Sequence, residues 1–161
     1  MGKLRGMAAR RWLGDAEQQM WRRYLDATRL LQQAMDRQLT RDSGLSLTDF
    51  EVLVLLSEAP DRRLRMSQLA ARACTTRGGA TRTVQRLIAA GWVRRVECED
   101  DRRGSLAELT DAGAEKLTEA APAHVAMVRT NFIDLIDAHD VDRLTEIYGA
   151  MRDRLRAGGD G

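Results

Sequence analysis

Apolar residues recur at intervals of three and four over most of the chain, and alternation is confined to a stretch near residues 92–109, so the pattern predicts helices interrupted by one short β region. The first helix starts at Asp15, placed as N-cap with Gln18 at the capping-box position, and carries Met20, Tyr24, Ala27, Leu31, Ala34, Met35 and Leu39 on one face. Gly44 in "DSGL" stops it. "SLTDFEVLVLLSEAP" reads as a second helix, capped by Ser46 or Thr48, burying Phe50, Leu53, Val54 and Leu56 and closed by Pro60. "DRRLRM" is too short for a helix and predicts a brief extended segment, after which Ser67 caps "SQLAARAC", with Leu69, Ala70 and Ala73 inward. Thr75 and Thr76 supply a turn and an N-cap for "TTRGGATRTVQRLIAAGW", which Gly91 ends at C′. Trp92–Glu97 and Ser105–Leu109 predict a hairpin with a charged tip. Thr110 caps a long helix running to Ile136 and bent at Pro122; a last helix is capped near Asp140, and "GGDG" frays.

The segment after Thr76 raises a question of energetics. Glycine costs a helix interior roughly 0.5–1 kcal/mol relative to alanine, yet Gly78 and Gly79 stand at its start. At 100° per residue, with Val84 at the centre, Ala80, Leu87 and Ile88 fall within about 40° and form a buried stripe. Gly78, Gly79, Arg82 and Arg86 fall on the opposite side, with Gln85 at its margin and Arg77 in the first turn. A helix start bare of side chains can lie close to a phosphate backbone and offer it free N–H groups, while arginines further along reach base edges.

Charge sharpens that picture. The net charge is only +2, but residues 62–103 hold eleven arginines against four acids, a local +7 that leaves −5 for the rest. A basic block in an otherwise acidic chain is the footprint of a polyanion site. A short helix, a threonine-rich turn, a second helix and an arginine-tipped hairpin is the order of a winged helix-turn-helix, whose second helix enters the major groove.

From "LSLTDFEVLVLLSEAP" through "RMSQLAARA" and "TRTVQRLIAAGWVRR" to "DDRRGSLAELTDAG", residues 45–113 resemble the MarR family of bacterial transcription regulators. Asp101, Arg103, Leu109 and Thr110 match the family's hairpin signature in register. The resemblance implies a mainly α fold with a small β-hairpin: a winged helix DNA-binding lobe over residues 45–110, flanked by dimerisation helices at 12–41 and 114–157, all in one domain spanning residues 1–161. It implies a homodimer on a palindromic double-stranded DNA operator, acting as a repressor. Thr76, Arg77, Gly78, Gly79, Thr81 and Arg82 would belong to the DNA-binding surface of the recognition helix, with Arg86 nearer the phosphates. In the wing, Arg103 would enter the minor groove beside Arg102, with Asp101 holding the tip in shape. The paired glycines depart from the family pattern and shift side-chain readout onto Arg77, Thr81 and Arg82. The family's response to small aromatic or anionic effectors would place one near Trp12, Trp21, Arg22, Arg23 and Tyr24. Leu117, Val125, Val128, Phe132, Leu135, Ile136, Leu144, Ile147, Tyr148, Met151 and Leu155 are assigned to monomer core plus dimer interface.

Other chemistries find little purchase. Cys74 and Cys98 lack metal or redox spacing. Glu97, Glu99 and Asp100 around Cys98 oppose an activated thiolate. A redox-sensing regulator using either cysteine, or a winged helix serving protein contact, is the alternative reading. His124 and His139 are the only histidines and stand in no catalytic or metal-ligating constellation, so neither an enzyme nor a cofactor is expected. No apolar run is long enough to span a membrane and no secretory signal is seen, which predicts a cytoplasmic protein.

Overall fold

The computed structural model describes residues 12–73, 76–97 and 105–158. Contacts divide the chain into two compact units, one ending at Ala34 and the other starting at Met35.

Helix α1 spans Asp15–Ser43. Its start lies one residue earlier than expected: Glu17 accepts the Gly14 N–H at 2.8 Å and the Gln18 side chain donates to the Leu13 carbonyl at 3.0 Å, so Asp15 is already inside the helix. Gly44, at φ +72°, ends it as the sequence predicts. Helix α2 spans Leu47–Ser57. Ser46, not Thr48, is its cap, in a reciprocal box with Asp49. Pro60 opens a 3₁₀ turn, Pro60–Arg62, and the extended segment is strand β1, Arg63–Arg65.

Helix α3 spans Met66–Arg72 and begins before Ser67; Gln68 accepts the Arg65 N–H at 3.2 Å in place of a serine cap. Helix α4 spans Arg77–Ala89 with Thr76 as N-cap. Strands β2, Val93–Glu97, and β3, Ser105–Leu109, pair antiparallel as the hairpin pattern requires. The extended segment β1 also joins them, so the sheet has three strands in the order β1-β3-β2, one more than a hairpin. Alternation could not reveal that third strand, because three residues are too few to show a period.

Helix α5 spans Asp111–Asn131 and continues through Pro122. It stops five residues short of Ile136, the remainder forming a 3₁₀ turn, Ile133–Leu135. Helix α6 spans Ala138–Ala157 with Asp137, three residues ahead of Asp140, as its N-cap.

Leu39, Leu45, Leu53, Leu56, Leu69, Val84, Leu87 and Val93 are the largest completely buried side chains, together with Val52, and they form one core with Leu64, Ala107, Leu109 and Ala120. That core draws on the end of α1, all of α2, α3, α4 and the sheet, and the first half of α5, which fixes the outward face of α4 from behind. Helix α6 contributes no buried residue.

Candidate nucleic-acid interface

Thr76 orients the start of α4. Its backbone is extended, and its Oγ1 accepts the Gly79 N–H at 3.1 Å. Ala80, Thr83, Val84 and Leu87 are buried, so the apolar stripe is as predicted except that Ile88 is only half-buried and Thr83 takes a place inside. Thr76, Arg77, Gly78 and Arg82 are exposed, and Gly79 and Thr81 half-buried. Thr81 Oγ1 donates to the Arg77 carbonyl at 2.8 Å, which ties its hydroxyl into the helix. A Cβ added at Gly78 would meet nothing within 4 Å, so no contact among the described residues requires glycine there.

Folding disposes of much of the basic block. Arg62 pairs with Asp111 at 3.1 Å. Arg63 and Arg94 bind Glu108 from either side, at 3.0 Å and 2.6 Å. The strand register explains this triad: Glu108 on the central strand stands opposite Arg63 on one neighbour and Arg94 on the other. The Arg94 hydrogen bond is the main cause that holds the Glu108 carboxyl below its ordinary value, opposed by burial and seconded by Arg63. Arg86, expected near phosphates, binds Asp49: its Nε donates to both carboxylate oxygens at 3.0 and 3.2 Å, and its Nη2 to one at 2.6 Å. Asp49, Glu108 and Asp111 all lie outside residues 62–103, so a window count could not balance them. Two signals were available: "SLTD" places an acid at the third position of α2, and the hairpin register sets Glu108 against Arg94. Among the described residues, Arg77, Arg82 and Arg95 have no ion-pair partner, and all three are exposed. Arg95 is the one that sequence reasoning did not single out.

Thr110, the last residue of the hairpin signature, locks the end of α4 to the start of α5. Its N–H donates to the Trp92 carbonyl at 3.1 Å, its hydroxyl to the Gly91 carbonyl at 2.7 Å, and its Oγ1 accepts the Gly113 N–H at 3.1 Å. Gly113 is buried so tightly that a Cβ there would lie 2.1 Å from the Trp92 carbonyl oxygen. Leu109, which precedes it in that signature, is buried in the core.

Residues 43–104 match the sequence profile of the MarR family. The structure is similar to that of AbsC, a MarR family transcriptional regulator from Streptomyces coelicolor, with a TM-score of 0.86 and 40% identity over 91% of this chain and 99% of that one. The chain belongs to the MarR family. It is also similar to Sco3205, a MarR family regulator from the same organism whose structure was solved in complex with DNA: 43% identity, TM-score 0.87, 90% of this chain and 91% of that one. The transcriptional repressor YetL of Bacillus subtilis is 31% identical over 115 residues, which are 70% of this chain and 66% of the repressor. By their order, α3 and α4 are the helix-turn-helix of the winged-helix fold, and β2 and β3 are its hairpin strands. Asp101, Arg102 and Arg103, expected in the wing, and both Cys74 and Cys98 lie outside the described residues.

The aromatic residues expected near an effector lie on or just before the first half of α1. Trp21 and Tyr24 stack at 5.6 Å, Trp12 is 82% exposed, and Arg22 and Arg23 are exposed. A cleft of about 400 Å³ occurs elsewhere, with an apolar lining that includes Met35, Phe50 and Val54, and with Glu51, Arg72 and His124. Burial pushes the Glu51 carboxyl up and the His124 imidazole down, each toward its neutral form. The His124 ring packs on Phe50 with centroids 4.5 Å apart, and its Nδ1 lies 3.3 Å from Gln38 Oε1. Among the described residues no group of His, Cys, Asp and Glu is arranged to hold a metal, and no helix is long and apolar enough to cross a membrane.

Proposed function

We propose that this protein is a homodimeric, sequence-specific DNA-binding transcriptional repressor, cytoplasmic and without catalytic activity. The observation that carries the reading is the outward face of α4, where Arg77 and Arg82 stand exposed with no carboxylate partner among the described residues, on a helix whose opposite face is locked in the core. Thr76, Gly78 and Gly79 bring the backbone of the helix start close to a phosphate, and Thr81 and Arg82 lie along the groove floor. On the sequence resemblance, Asp101, Arg102 and Arg103 supply the wing contact in the minor groove. Sco3205, to which the chain is similar, was solved in complex with DNA, which supports DNA as the partner.

The partner subunit is read from what the chain leaves uncovered. Leu144, Ile147, Tyr148, Met151 and Leu155 fall on one face of α6, and the last four are exposed, as are Val125 and Leu135. A second copy would cover them and set two α4 helices about one helical turn of DNA apart, ~10 bp. An effector, if small and largely apolar, fits the cleft beside Phe50 and His124 better than the aromatic patch of Trp12, Trp21, Arg23 and Tyr24, because the cleft touches α2, α3 and α5 at once.

Selection of bound fragments from genomic DNA by the purified protein tests the reading. A palindromic motif, bound more tightly than random duplex across salt concentrations, is the expected result. Equal affinity for every duplex would move α4 to the alternative, a surface for protein contact.

A further inference from the structure

Asp49 serves two helices with one carboxylate. It is 4% exposed, and its Oδ2 accepts the Ser46 N–H at 3.0 Å and the Ser46 hydroxyl at 2.7 Å, so the start of α2 holds it still. The same carboxylate receives Arg86 in the two-pronged contact described above, from a side chain one turn along α4 from Arg82. The neighbouring Leu47 N–H donates at 2.8 Å to Asp36 near the end of α1. The start of α2 is thus a polar hub that α1 and α4 both engage.

Stability alone does not account for such a pair. Taking a carboxylate out of water costs about as much as a good ion pair returns, and a well-packed apolar residue often does as well. What a forked, charge-assisted contact adds is a fixed direction. We infer that Asp49 and Arg86 are positioning residues for DNA recognition, fixing the rotation of α4 about its own axis so that Arg82 meets the same base edge in every complex. The inference rests on the reading of α4 as the DNA-contacting helix. It makes Arg86 a specificity determinant that acts through Asp49 and α4 rather than by gripping a phosphate with the Nε and Nη2 edge, which is committed to Asp49.

A phosphate contact and a positioning contact differ in their salt dependence, because only the former releases counterions. The full chain carrying Arg86→Met, which keeps most of the apolar stem, is titrated with the selected operator and with random duplex of equal length over a range of salt. Operator affinity is expected to fall about ten- to a hundred-fold, while random-duplex affinity and the slope of log affinity against log salt stay at wild-type values. Arg86→Lys, which keeps the charge but not the fork, should lose operator preference in the same way, and it carries the test if the methionine variant does not fold. A parallel loss on both duplexes with the slope reduced by about one would make Arg86 a phosphate contact and overturn the inference. Unchanged operator binding would overturn it too. A wild-type protein with no operator preference would instead bring down the functional reading, and this inference with it.

Discussion

Replacing Arg82 with alanine removes a side chain that no other part of the described chain engages, so its effect belongs to the DNA complex rather than to the fold. Operator affinity should fall by about 1–3 kcal/mol with little change on random duplex, measured by competition between the two; equal losses on both would make Arg82 a phosphate contact. Two other side chains contribute to the protein's response to acid. His124 is pushed below its ordinary 6.5 by burial, so it favours the fold when neutral, and its contribution is complete above pH 6.5 and declines as pH falls toward its folded value. Glu108 is held below its ordinary 4.5, chiefly by Arg94, so its contribution is complete above that pH and is lost lower down. Chemical denaturation along a pH series should therefore show a loss of stability below pH 6.5 from His124 and a further loss below pH 4.5 from Glu108, offset in part by Glu51, whose raised carboxyl favours the fold when neutral. His124→Gln should remove the loss that begins below pH 6.5 and leave the one below pH 4.5.

At the scale of elements, the junction of α4, the hairpin and α5 depends on an absent side chain. Gly113→Ala would place a methyl against the Trp92 carbonyl, which is already engaged by the Thr110 N–H, and should cost about 1–3 kcal/mol in urea unfolding. Retention of wild-type stability would mean that α5 can shift without cost. The helices, their order and the outward arginines were legible because an amphipathic period declares both a buried face and its opposite. Helix starts were less legible. At Asp15, Ser67 and Asp140 a residue that commonly caps stands near the boundary, but Gly14, Arg65 and Asp137 are where the backbone turns. Pairing was the least legible: the partners of Arg86 and Arg94 come from elements 37 and 14 residues away in sequence. A count of charge within a window cannot see across such distances, which is why eleven arginines suggested a broader basic surface than folding leaves.

At the scale of the whole molecule, the compact lobe around α2–α4 is well filled, while α6 and the end of α5 present apolar surface to solvent. Ile147→Glu combined with Met151→Glu should give a protein that sediments as a monomer and loses operator binding, with the recognition lobe still folded by near-ultraviolet circular dichroism. A dimer surviving both changes would place the interface elsewhere. The bare face of α6 bears also on how durable this protein is. When helices find shelter only in a second copy, the melting temperature rises with concentration, because association is part of folding. Scarcity then becomes a hazard in itself: a regulator made in few copies would spend more time as unpaired chains open to proteolysis, and its abundance would govern its lifetime as well as its occupancy of DNA.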